Sequence, residues 1–264
     1  MEVFKVLSDY YGNYDEDQRL TSRHGSVEFL TTMRYVEKYL RPRMRVLEIG
    51  AATGRYSHTL ARQGYRVDAV ELVQHNIDIF NTSTQPGEDV RIFQGNAKNL
   101  DMLADNSYDI TLLLGPMYHL FTVPEQLQAL AEAIRVTKKG GVIFAAYCGN
   151  EATMIQYCFG RGMIQQQRYR DLIDPVTFKA SSDPAELFQL YRKEDIDKLM
   201  AVFPVTRLHY VGTDMATNYM RSTIDEMDDE LFALYLQYHF VICERSDMVG
   251  TSHHILDVFQ KNGK

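Results

Sequence analysis

No stretch of this chain approaches the roughly 20 consecutive apolar residues that a membrane-spanning helix needs. The opening residues, 1–9, lack the basic region and long apolar core of a secretion signal, so a cytoplasmic, non-membrane protein is expected. Cysteine is scarce: Cys148, Cys158 and Cys243 are widely spaced and form no C-x-x-C pair, which argues against a disulfide framework or a cysteine-built zinc site. Basic charge is not in excess either. With 28 Lys and Arg against 35 Asp and Glu the net charge is -7, unlike a surface made to neutralise nucleic-acid phosphates. No nucleic-acid partner is expected; a small-molecule partner fits better, and a homodimer stays open. Internal repeats and flexible linkers are also missing, so residues 1–264 are expected to form one domain.

What is there is an ordinary globular composition, 45% hydrophobic and 24% charged. Tyr10, Tyr11 and Tyr14 stand among Asp9, Asp15, Glu16 and Asp17, a pattern that is neither a clean helix nor low-complexity. An ordered flap is expected there. Val27, Leu30, Met33, Val36, Tyr39 and Leu40 recur at helical spacing over 25–40, and Arg41-Pro42 ends the pattern. Strands at 45–50, 66–72, 90–95, 108–115 and 142–147 then alternate with helices at 55–63, 75–82 and 124–137, with a turn at 138–141. Short apolar strands separated by helices predict a mostly parallel sheet covered on both faces, an α/β fold. Residues 149–203 break the rhythm and read as an inserted, mostly helical cap. A strand at 205–211, an acidic helix at 225–243 and a strand at 254–259 would complete the sheet. The layout is thus an N-terminal flap and helix (1–44), a ligand-binding core (45–148), the cap (149–203) and a closing segment (204–264).

The first strand ends in Glu48-Ile-Gly50-Ala-Ala52-Thr-Gly54 and runs into a helix. At such a strand end, small residues let backbone approach a ligand and helix N–H groups point at it. The dinucleotide fingerprint G-x-G-x-x-G is absent, because Ala52 and Arg55 stand where glycines would be required. Glu48, two residues before the first glycine, suits a cationic amino group such as that of S-adenosylmethionine (SAM). Glu71 closes the second strand, where a carboxylate accepts from both ribose hydroxyls, and Asn96-Ala97 closes the third, suited to an adenine amino group and ring.

These segments, with Val70-Glu71-Leu72 and Gly95-Asn96-Ala97, resemble the motifs of the class I SAM-dependent methyltransferase family over roughly residues 24–147. The resemblance implies a Rossmann-like sandwich around a sheet of seven strands, the last pair antiparallel, with SAM across the first strands. It assigns Glu48, Gly50, Ala51, Ala52, Gly54, Tyr56, Glu71, Leu72, Asn96, Ala97, Leu114 and Gly115 to the donor, with Tyr11 and Tyr14 folding over it. Ala52 replaces the family's middle glycine and fits only if its φ is negative. Asn96 replaces the usual aspartate and keeps an acceptor oxygen without the charge.

The loop after the fourth strand, Gly115-Pro-Met-Tyr118-His119, lies beside the reactive methyl in this family. Tyr118 and His119 are therefore the expected catalytic residues, His119 as a proton acceptor. Met154, Tyr157, Phe159, Met163 and Tyr169 suggest a partly apolar acceptor pocket under the cap. The late stretch 235–247, with His253 and His254 beyond, gathers polar and aromatic groups that could face the cleft. His209, Asp214, His239 and Glu244 are metal-ligand types, but no H-x-x-x-H spacing joins them, so no metal is expected. The expected function is transfer of the SAM methyl to a small molecule by in-line displacement, releasing S-adenosylhomocysteine. Methylation of RNA or protein, a SAM-binding sensor, and a dinucleotide enzyme remain the alternatives.

Overall fold

Val46, Leu47 and Ile49 are fully buried although successive side chains of a strand point to opposite faces, so this segment must be covered on both sides. The structure, a computed structural model, describes residues 2–11, 21–184 and 188–263. Its strands are β1 (Arg45–Ile49), β2 (Arg66–Glu71), β3 (Val90–Gln94), β4 (Tyr108–Leu113), β5 (Thr137–Gly149), β6 (Leu190–Tyr191), β7 (Val205–Gly212) and β8 (His254–Lys261). They run in the order β3-β2-β1-β4-β5-β8-β7, with β6 beside the end of β5. Only β8 is antiparallel to its neighbours, pairing with both β5 and β7. The switch in strand order falls between β1 and β4, where open α/β sheets bind ligands.

The long helices are α1 (Glu2–Tyr11), α2 (Arg23–Tyr39), α3 (Arg55–Arg62), α4 (Gln74–Ser83), α5 (Val123–Val136), α6 (Lys193–Met200) and α7 (Asp229–Ile242). Leu130, Ala133, Ile196 and Leu199 of α5 and α6 pack with Leu47, Ile49 and Ile143 on one face. Val36 and Leu60 of α2 and α3 pack with Val46, Ile110 and Phe144 on the other. Among the described residues no helix is long and apolar enough to cross a membrane.

Residues 2–11 of the expected flap form a regular helix, α1. Three local expectations change. Residues 138–141 are a bulge inside β5 rather than a turn before it: Tyr108 pairs with Thr137, but Ile110 already pairs with Val142. Among its described residues the segment 149–203 holds only short helical turns before α6, plus β6, whose two residues are too few to show an alternating pattern. The acidic helix is split. Asp228 is extended and its side chain accepts from the Leu231 N–H to start α7, while Asp225 ends a separate turn and binds His24.

The β1–α3 turn carries a further correction. Gly50, Ala52 and Gly54 all have positive φ, at 77°, 47° and 94°, so Ala52 occupies the conformation that glycine favours. The turn is held from outside: the Gly50 and Ala51 N–H groups donate to the Val70 carbonyl at 2.8 and 3.1 Å, and the Ala52 N–H donates to Glu71 Oε2 at 2.9 Å. Replacing Ala52 with glycine should therefore stabilise the fold by about 0.5–1 kcal/mol, net of the greater unfolded-chain entropy of glycine. Thermal unfolding checks this, and a lowered midpoint would show that the methyl makes a compensating contact.

Beneath the sheet's first edge, Asp68 is fully buried and accepts hydrogen bonds from Arg45 (2.9 Å), Arg91 (2.8 and 3.0 Å) and Tyr108 (2.8 Å). Burial pushes its carboxyl pKa up, but the bonds from Tyr108, Arg91 and Arg45 outweigh this and hold it below the ordinary value. A lowered folded-state value gives stability above the unfolded carboxylate pKa that is lost as pH falls through the folded one. Asp68→Asn should cost about 2 kcal/mol in denaturant unfolding near neutrality, a figure reduced because both arginines reach solvent. The difference from wild type should shrink in acid.

Candidate functional site

The carboxyl ends of β1, β2, β3 and β4 open into a cavity of about 380 Å³. Glu48 lies in its wall, 2% exposed, with Oε2 accepting from the Ser57 N–H (3.0 Å) and the Ser57 hydroxyl (2.5 Å) in the first turn of α3. Burial raises the Glu48 carboxyl to about 8, against the lowering effect of the Ser57 bonds. Glu71 is also buried. Its Oε1 accepts from the Val73 N–H (2.9 Å) and Asn76 Nδ2 (3.3 Å), and Oε2 from Ala52. Burial pushes its carboxyl up as well. Asn96 Oδ1 accepts from the Lys98 N–H at 3.0 Å and keeps one lone pair in hand.

Of the residues expected around the donor, Glu48, Gly50, Ala51, Ala52, Tyr56, Glu71, Leu72, Asn96, Ala97, Leu114, Gly115 and Tyr11 all line this cavity. Gly54 does not. It precedes α3 at φ 94°, and a Cβ there would lie 2.4 Å from the Phe80 ring. A Cβ on Gly50 would lie 2.5 Å from Pro116. Both glycines thus answer to protein packing and a left-handed backbone rather than to a ligand alone. Tyr14 lies outside the described residues. Sequence reasoning missed Arg55, which lines the cavity at the start of α3, stacks over Phe29 at 4.6 Å and has a buried Nε with no hydrogen-bond partner among the described residues.

A second cavity, about 680 Å³, adjoins the first. Tyr11, Glu28, Tyr118 and His254 line both. Met154, Tyr157, Met163 and Tyr169 line it as expected, but Phe159 is 59% exposed and packs on Phe178 instead. At the shared wall the Tyr11 hydroxyl and His119 Nε2 share a hydrogen bond of 2.9 Å. Tyr118, His119 and Phe188 form an aromatic cluster around them. The expected catalytic pair therefore meets the N-terminal helix, 108 residues away in sequence.

His254, named from the sequence only as one of several groups that could face the cleft, has a more definite setting. Its Nδ1 donates to Asp214 Oδ2 at 2.7 Å, with Glu28 Oε2 at 3.3 Å. Asp214 also accepts from the Ser252 hydroxyl (2.6 Å), the His253 and His254 N–H groups (2.9 and 3.3 Å) and Asn218 Nδ2 (2.5 Å). It is fully buried, yet the His254 bond and charge hold its carboxyl well below the ordinary range despite desolvation. An ionised acceptor on Nδ1 fixes the tautomer, so Nε2 is the proton acceptor of the neutral ring. Only the pairing of β7 with β8 brings these residues together, and nothing in their 40-residue spacing announces it.

Glu28, Asp214 and His254 place three ligand-type atoms within 4.8 Å of one another. A cation there would have to displace donors already bonded to Asp214, so the set reads as a histidine held between carboxylates. The four residues considered as metal ligands do not converge. His209 binds Glu244, His239 Nε2 bonds Thr31 Oγ1 at 2.9 Å, and Asp214 serves His254. The stretch 235–247 lines neither cavity.

Residues 46–141 match a family described as a methyltransferase domain. The chain is 27% identical over 146 residues to a demethylmenaquinone methyltransferase of Lysinibacillus sphaericus, covering 54% of this chain and 58% of that one. It is 35% identical over 106 residues to the corresponding enzyme of Renibacterium salmoninarum, covering 40% and 41%. The chain thus spans about half the length of these curated relatives. In fold it is similar to a SAM-dependent methyltransferase of Methanosarcina mazei, with a TM-score of 0.58 and 15% identity over 87% of this chain and 98% of that one. With the motif order and strand-end geometry above, these matches make residues 46–141 similar to a methyltransferase domain, in a chain whose fold is similar to that of SAM-dependent methyltransferases.

Proposed function

We propose that this protein transfers the methyl group of SAM to a small molecule seated in the second cavity. The observation that carries the proposal is the shared wall: Tyr11, Glu28, Tyr118 and His254 face both cavities, so a donor in one meets an acceptor in the other. When bound, SAM supplies an electrophilic methyl on a sulfonium, whose departure to the acceptor leaves S-adenosylhomocysteine. The donor cavity's residues fit that molecule. Glu71 suits the ribose hydroxyls, Asn96 the adenine amino group with Ala97 against the ring, and Glu48 the α-amino group. Arg55, with its orphaned Nε, suits the carboxylate. Tyr11 and Tyr118 offer ring faces or hydroxyls near a sulfonium.

Alignment and exclusion of water supply most of what such a displacement needs. Where the acceptor carries a proton, two imidazoles stand near to receive it, His254 at the shared wall and His119 in the donor cavity beside it. His119 is positioned by Tyr11 and His254 by Asp214. The aromatic and methionine lining of the second cavity supports an acceptor with an apolar or aromatic body, consistent with relatives named for demethylmenaquinone.

Calorimetric titration should show binding of SAM and not NADH, and isotope-labelled SAM should pass its methyl to members of a panel of phenols and aromatic amines. Binding of NADH alone would overturn the reading, and SAM binding without transfer would favour a sensor. In the same assays His119→Ala should lower turnover at least tenfold with donor affinity unchanged; wild-type turnover would remove His119 from the chemistry.

The raised Glu48 carboxyl adds a pH signature. Near pH 6 it is protonated before the donor's ammonium arrives, so binding must release a proton, and affinity should rise from about pH 6 to about pH 7.5 by at most about tenfold per unit. Glu48→Gln should abolish that slope. A flat wild-type profile would take Glu48 out of contact with the amino group.

A further inference from the structure

One part of the second cavity is built differently from the shared wall. His253, Tyr157 and Arg221 line the second cavity and not the first. His253 is 7% exposed, and among the described residues neither Nδ1 nor Nε2 has a hydrogen-bond partner. Its ring stands edge-on to Tyr157 at 5.7 Å and tilted against Tyr219 at 5.3 Å. A buried polar group left unmatched is costly, so this wall holds donor and acceptor capacity that the described residues do not use.

Positive charge gathers at the same place. Arg221 donates from Nε to Asn218 Oδ1 (2.8 Å) and from Nη2 to the Tyr157 hydroxyl (3.2 Å), both neutral oxygens. The Arg161 guanidinium lies over the Tyr157 ring at 4.6 Å. Among the described residues, neither arginine has a carboxylate within ion-pair distance. Burial, reinforced by His254, Arg221 and Arg161 and opposed by the Asp214 charge, lowers His253 to about 4, so the ring is neutral and presents one N–H. The carboxylates of Glu28 and Asp214, by contrast, are committed to His254.

Resting on the methyl-transfer reading, we propose that the acceptor carries an acidic group, a carboxylate or a phosphate, seated on Arg221 and His253 while its reacting atom lies at the shared wall. Guanidinium and imidazole N–H groups match both kinds of oxyanion, and an Arg221 without a carboxylate partner holds such an anion more strongly than a paired one. Tyr157 supplies a hydroxyl and a ring against which the acceptor's body packs. The two arginines also set the polarity: an acidic acceptor enters with its charged end away from the sulfonium.

The test uses 4-hydroxybenzoate, phenyl phosphate and the neutral 4-hydroxybenzyl alcohol, titrated into the full chain with and without S-adenosylhomocysteine. Calorimetry is combined with NMR of the His253 ring. At least one acid should bind at least tenfold more tightly than the alcohol and shift the His253 resonances; which acid does so separates carboxylate from phosphate. Arg221→Gln should erase the preference, Arg221→Lys should keep part of it, and both should bind S-adenosylhomocysteine as wild type does. Equal binding of acid and alcohol, no binding of either acid, or an undiminished preference in Arg221→Gln would overturn the proposal. Failure to bind S-adenosylhomocysteine would instead overturn the donor assignment, while the acid-against-alcohol comparison would still decide the subsite.

Discussion

The Glu71 carboxylate ties together the parts on which the proposed donor site depends. One oxygen takes the Ala52 N–H and so pins a turn with three left-handed residues. The other takes the Val73 N–H and the Asn76 amide, which fixes the entry to α4. A buried carboxylate is expensive to desolvate, and the rise in its pKa records that expense. The backbone donors around it make the anion tolerable, and the anion in turn makes the strained turn tolerable. The residue best suited to a ligand's ribose is therefore also a structural brace, and its substitution would disturb both roles.

The same economy recurs at the other carboxylates. Glu48 spends one oxygen on the first turn of α3, and Asp214 is saturated by donors from β8, the loop before it and Asn218. Fixed donors around buried anions give a wall whose charges do not move, which suits a reaction driven by alignment more than by strong acid or base. His254 illustrates the point: its ring is oriented before any acceptor arrives because its Nδ1 proton has a settled destination.

Much of this was legible in the residues. The order of strands and helices from 45 to 147 follows from apolar runs and their breaks, and the strand-end residues Glu48, Glu71 and Asn96 converge on one cavity as their positions imply. Ala52 defied the expectation of negative φ because tertiary hydrogen bonds overrode a local preference. Gly54 looked like a ligand contact but is required by Phe80, a neighbour that sequence spacing does not reveal. The acceptor side was the least legible. Tyr11 with His119, and Asp214 with His254, are long-range pairs set by helix docking and hairpin register. Local periodicity carries no trace of either.

Strand β8 follows β7 in the chain yet lies between β5 and β7 in the sheet. Until residues 254–261 pair, β7 has no partner among the described strands and the edge of β5 is open, so closing this side of the sheet waits on its strand pairing of greatest sequence separation. His254 begins that strand. The wall between the two cavities is thus assembled late, and a chain caught before that step would already hold a recognisable donor cleft while exposing an unpaired strand edge to other chains.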